Sequence, residues 1–406
     1  MSIKNMSRYT RISGNCLYFS NLTSYNVVPE TILSLKRLIY KFGHKDIVLN
    51  FEKAGYAYAY PITAIVGIIN YFKINLGINF SIKSSDIFFE KMGIIDQYSF
   101  DQEEANCLGK IWLYNNSNEA NLITLKIMKT IRRLMVCEEG VLDTCEWALY
   151  EIMDNVIQHS EISKGFVMGG IDKKNKILNI CVFDYGVGIL NSLSKSALYN
   201  PKSEVDAISL AIKEGVTSGN GQGYGLAGLN KIISQNGGKL TIISGKGGLV
   251  YKGSSSEVLS FSHMLTLGKD LPPTTTVNFY LKLNRDVSIE NTVGKHYTNM
   301  YLENFENNQG EIVFTIKDQA LGTATRQEAE NVRNEMINIY KTTRRVVVID
   351  FSGIAIISSS FADELIAKIM YKIGYIQFQK IFRIQHESVP IRCIIDKAIE
   401  KRMRQN

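Results

Sequence analysis

Glu151, Asn155 and His159 recur every four residues along the run EWALYEIMDNVIQHS, so a helix there carries all three on one face, a turn apart. Leu149, Ile152, Met153 and Val156 supply an apolar stripe that seats such a helix on a core. A carboxylate one turn from an amide suits magnesium-nucleotide chemistry, because the amide oxygen is a hard ligand and the carboxylate can orient or deprotonate a nucleophile. A solvated helix face is spelled the same way. This string alone therefore decides nothing.

Two further strings follow it in the chain. Asp184-Tyr-Gly186-Val-Gly188-Ile189 comes directly after the apolar run ILNICVF. A strand ending in an acid and two spaced glycines delivers a carboxylate to a pocket mouth and lets backbone approach a flat ligand closely; a tight turn capped by Asp looks alike. Next, alternating glycines from Gly219 to Gly228 run into LNKIISQ. Such a row before a helix exposes backbone amides and the positive helix end, which is how backbone holds phosphates.

The elements that must position these residues can be read from periodicity. Helical patterns cover ANLITLKIMKTIRRLMV and DTCEWALYEIMDNVIQHS, separated by Gly140, and strand patterns cover GFVMGGI, ILNICVFD, KLTIISG, GLVYKG and TVNFYLKL. Upstream, PETILSLKRLIYKF, DIVLNF, ITAIVGIINYFKI and NFSIK read as helix, strand, helix, strand. Downstream, EIVFTI, RQEAENVRNEMINIY, RVVVIDFSG and SFADELIAKIMYKI repeat an α/β theme. The expected organisation is an α/β unit over 1–110, a central domain over 115–288, a linker over 289–309 and a second α/β unit over 310–406.

Taken in order, the three strings resemble the N box and the two glycine boxes of the GHKL family, that of gyrase, MutL, the heat-shock chaperone and the histidine kinases. The resemblance implies an α+β sandwich of the Bergerat type, helices over a mixed sheet with ATP between them. It implies that Asp184 accepts from the adenine amino group, with Gly186, Gly188 and Ile189 shaping the adenine end, and that Asn155 holds Mg2+. Thr217, Ser218 and the run through Gly221, Gly223, Gly225 and Leu226 would form a mobile lid over the phosphates. One of Thr274, Thr275 and Thr276 would support adenine binding, with Thr276 the chosen position, although Pro272 and Pro273 replace the usual preceding glycine.

Glu151 resembles the general base of gyrase and MutL, and also the matching acid of the anti-sigma-factor serine kinases. The one histidine upstream of the N box, His44, lacks a phosphoacceptor setting, which argues against a histidine kinase. The stretch VVVIDFSGIAIISSSFADELIAKI resembles the STAS-like modules that accompany some GHKL proteins, and the first segment looks like a more distant copy. Ser358, Ser359 and Ser360 fall where anti-sigma antagonists carry their phosphorylated serine, without the usual acid and glycine; helix-capping serines read the same.

With 45% hydrophobic and 21% charged residues the chain can bury real cores. It has no run long enough to span a membrane and no signal-peptide pattern, so a cytoplasmic protein is expected. The six cysteines are scattered without a CxxC pair, which points to free thiols. The net charge of +7 permits an anionic partner without demanding one; Lys126, Lys129, Arg132 and Arg133, like Lys401, Arg402 and Arg404, read as solvated faces rather than a nucleic-acid surface. The expected activity is slow Mg-dependent ATP hydrolysis in a regulatory switch. The alternatives are a serine/threonine kinase of the anti-sigma type acting on a STAS-like domain, and an ATP-sensing scaffold without turnover. Partners expected from the resemblance are ATP, a protein bound through the STAS-like domains and, as in family members that dimerise on lid closure, a second copy of the chain.

Overall fold

The computed structural model describes residues 8–196, 198–216, 225–253, 255–260, 272–288 and 300–404. It is a mixed α/β protein with two compact units, one formed by residues 1–127 and 145–282 and the other by 128–144 and 283–406. The first unit thus runs through the boundary expected between residues 110 and 115. Among the described residues no helix is long and apolar enough to cross a membrane. All six cysteines are free; Cys107, Cys137, Cys145 and Cys181 are buried, whereas Cys393 is exposed.

In the first unit, β1 (Thr10–Ser13), β2 (Cys16–Phe19), β3 (Asp46–Asn50) and β4 (Asn79–Lys83) make a four-stranded sheet with α1 (Val27–Lys36) and α2 (Ala59–Leu76). The helix α2 is apolar almost all round and buried nearly throughout, the signature of a helix enclosed by neighbours. It ends at Gly77, left-handed at φ 62°.

One neighbour is the seven-stranded sheet of β5 (Trp112–Tyr114), β6 (Gly165–Asp172), β7 (Ile177–Asp184), β8 (Lys239–Ser244), β9 (Gly247–Lys252), β10 (Ser255–Ser260) and β11 (Thr275–Lys282), in the order β10-β9-β8-β11-β7-β6-β5. Phe166, Met168, Cys181, Phe183 and Ile243 join the core of the first segment. The approach is close: a Cβ added to Gly67 of α2 would lie 2.2 Å from the Phe183 ring. Successive strand residues alternate faces, so Leu178, Ile180, Val182 and Asp184 point the other way.

That other face is covered by helices. A Cβ at Gly169 would meet Ile127 of α3 (Ser117–Leu134) at 3.6 Å. The Thr124 hydroxyl of α3 in turn reaches the Met153 sulfur of α4 (Val141–His159) at 3.5 Å. Two short helices, α5 (Gly188–Ser194) and α6 (Glu204–Ala211), follow β7, and α7 (Gly225–Asn236) packs on β8 and β11. Its approach to α4 is glycine-dependent, since a Cβ at Gly228 would come within 2.3 Å of the Trp147 ring.

The second unit holds a parallel sheet of β12 (Ile312–Thr315), β13 (Val347–Asp350) and β14 (Phe382–Gln385) in that order, with α8 (Arg326–Thr343) and α9 (Val389–Met403). Thr325 caps α8 by accepting from the Glu328 N–H. Residues 128–144 belong to this unit, and polar contacts fix them there. The buried Asn338 amide donates to the carbonyls of Arg132 (2.8 Å) and Met135 (2.7 Å) and accepts from the Cys137 N–H (2.9 Å), satisfying the orphan groups where α3 ends. Arg133 is held by Glu328 at 2.7 Å and Glu335 at 2.8 Å, and the Arg132 guanidinium lies 4.0 Å from the Tyr301 ring centre.

Candidate functional site

Asp184 ends β7 with its side chain on the helix-covered face, directly paired across the sheet with Gly165 on one side and Thr275 on the other. It is buried, and burial pushes its carboxyl up to about 7, although the Gly186 N–H donates to it at 2.8 Å and pulls the other way. A carboxyl desolvated this far, with one backbone donor, is set to receive a further donor.

The turn after Asp184 leaves little slack. A Cβ at Gly186 would come within 2.3 Å of the Ser160 carbonyl oxygen, so only glycine fits there. Gly188 is left-handed at φ 76° and opens α5, and the next residue, Ile189, donates its N–H to the Ser244 hydroxyl at 2.8 Å. Ser244 is paired with Thr275, and their hydroxyls lie 3.4 Å apart. One polar row therefore runs across the sheet end: Asp184, Thr275, Ser244.

Thr276, the position chosen from sequence, is not in that row. It pairs with Phe183 and Ile243, residues of the core that includes α2, and so its side chain points to the opposite face from Asp184. Thr275 is the threonine that shares the acid's face. The parity of a strand residue is set by its pairing register, which the prolines before it obscure.

On α4, Glu151 and Asn155 face the start of α7. A Cβ at Gly225 would lie 3.0 Å from the Asn155 amide nitrogen and 3.4 Å from a Glu151 carboxylate oxygen. Burial, followed by the nearby Asp154 charge, raises the Glu151 carboxyl above its ordinary range, and burial lowers His159. Asp154 is otherwise engaged, accepting from Ser117 and Gln158. Neither Glu151 nor Asn155 makes a side-chain hydrogen bond to a described residue. The structure thus brings the acid, the amide and Gly225 together, with Leu226 in the first turn of α7. Thr217, Ser218, Gly221 and Gly223 lie outside the described residues.

In the second unit, Ser358 is spent as a cap: it accepts from the Phe361 N–H at 3.0 Å and donates to the Ala324 carbonyl at 2.9 Å. Ser359 beside it is exposed.

Residues 328–392 match the family model of a STAS-like domain of unknown function (DUF4325). The chain carries a STAS-like domain there. No curated protein matches the chain.

Proposed function

We propose that the first unit binds ATP with magnesium in the manner of the GHKL family and hydrolyses it slowly, as a nucleotide-dependent regulatory switch. The observation that carries this reading is the meeting of Glu151 and Asn155 with Gly225, a residue far from them in sequence that the family resemblance assigns to the same phosphate-end site. The buried Asp184 carboxyl at the end of β7 supports the adenine end of the same assignment.

Among the described residues no group of three His, Cys, Asp or Glu side chains could hold a metal unaided. That fits magnesium, which is commonly held by one or two protein oxygens together with substrate phosphates. Asn155, with its amide uncommitted, is the residue that would hold it, and its charge would offset that of the phosphates. Glu151, kept basic by burial, takes the proton of the attacking nucleophile. Water is that nucleophile for an ATPase.

A second reading, a serine kinase acting on a STAS-like domain, is favoured by one feature, the exposed Ser359 within a matched STAS-like module. Incubating the full chain with γ-labelled ATP separates the two. Label in free phosphate supports hydrolysis, label on protein supports the kinase, and bound but unconverted ATP supports a sensor. In the hydrolysis case Glu151→Ala should slow phosphate release about 100-fold while sparing affinity, the usual worth of a positioned base. Release at the wild-type rate would remove Glu151 from the chemistry.

A further inference from the structure

The polar row at the sheet end extends two strands beyond Asp184, across Gly165 of β6, to a residue of β5 that no motif predicted. Tyr114, the last residue of β5, pairs with Gly165, and Gly165 pairs with Asp184. Directly opposed residues of antiparallel strands share a face, so Tyr114, Gly165, Asp184 and Thr275 project to the same side. Gly165 carries no side chain, and the Tyr114 phenol fills its place: a Cβ there would lie 2.1 Å from the ring carbon bearing the hydroxyl and 2.2 Å from the hydroxyl oxygen. The tip of Tyr114 therefore leans across the glycine toward Asp184.

Tyr114 is completely buried, yet its hydroxyl has no hydrogen-bond partner among the described residues. A buried phenol of this kind normally finds one. Its environment keeps the proton on, since burial and then the Asp184 and Asp154 charges hold the phenol well above its usual range. It is thus a donor without an acceptor, separated only by Gly165 from an acceptor two strands away that awaits a donor.

Resting on the ATP-binding reading, we propose that the Tyr114 hydroxyl is a specificity residue for the base, donating to ring nitrogen N1 of a 6-aminopurine while Asp184 accepts from the adjacent 6-amino group. The pair matches the alternation of acceptor and donor on that edge. A 6-oxopurine reverses the order, placing its carbonyl where Asp184 needs a donor and its N1–H where Tyr114 needs an acceptor.

The test measures the affinities of ATP and of 1-deaza-ATP, in which a C–H replaces N1, for the full chain and for Tyr114→Phe. Wild type should bind ATP about 3- to 10-fold more tightly than the deaza analogue, the usual worth of one neutral hydrogen bond. Tyr114→Phe should weaken ATP by that factor, leave 1-deaza-ATP unchanged and so erase the discrimination. Without nucleotide the variant should melt no lower than wild type, because it discards an unsatisfied buried hydroxyl. Equal losses for both ligands, or no loss for either, would overturn the assignment. Failure of wild type to bind any adenine nucleotide would instead overturn the ATP-binding reading on which it rests.

Discussion

The sheet end of the first unit and the charge network of the second bury their polar groups in opposite ways. At the sheet end of the first, Asp184 and Glu151 are raised by burial, and the Tyr114 hydroxyl has no partner among the described residues. In the second unit, Arg133 is gripped by Glu328 and Glu335, and the Asp363 carboxyl is held low by Arg402 and Arg326. Buried polar groups that are paired at home specify a structure. Those left short of partners cost stability and are ready for something else, which is the expected mark of a binding site.

The largest effect is expected from removing a partner on the satisfied side. Arg133→Ala leaves Glu335, fully buried, without its cation, and should cost the second unit about 3–5 kcal/mol in denaturant unfolding. Nucleotide affinity should not change. A loss below about 1 kcal/mol would mean that the network contributes little to the fold.

The unsatisfied side should respond with the opposite sign. Because the folded Asp184 carboxyl sits near 7 against an ordinary 3.8, the unfolded chain releases this proton first as pH rises. The folded state is then penalised progressively between about pH 4 and 7, by up to about 4 kcal/mol. Asp184→Asn should remove that slope and stabilise the nucleotide-free protein above pH 7. Asp363 runs the other way: its lowered carboxyl adds stability above the unfolded value, lost as pH falls through the folded one. Melting curves of the Asp184 variant from pH 4 to 8 decide the matter, and an unchanged slope would show that this carboxyl is not desolvated.

A smaller effect sharpens the geometry. Thr275→Val should weaken ATP about 3- to 10-fold, as loss of one hydroxyl contact does, whereas Thr276→Val, facing Phe183 and Ile243, should leave affinity alone. Calorimetry on the two variants reports the sheet parity. The reverse result would place the ligand on the other face.

Much of this arrangement was legible in the chain. The four-residue spacing gave a single helix face for Glu151 and Asn155, and the strand before Asp184 was readable from its apolar run. The helix ITAIVGIINYFKI was evident too, but a helix apolar all round announces burial without saying against what, and its packing on Phe183 depends on contacts distant in sequence. Thr275 and Thr276 were indistinguishable for a related reason: adjacent residues exchange faces with a one-residue shift, and only the partner strands fix which. Tyr114 carries no motif at all. Its role emerges only once Gly165 is seen beside it, because the glycine makes room for the phenol.

Nucleotide binding at Asp184 is tested by titration calorimetry of the full chain with ATP and magnesium, comparing wild type with Asp184→Asn. The amide can present a donor to the adenine amino group in place of an acceptor. Wild type should bind one ATP per chain and the variant should bind about 100-fold more weakly or not at all. A folded variant with wild-type affinity, or a wild type that gives no heat with ATP, would contradict the account.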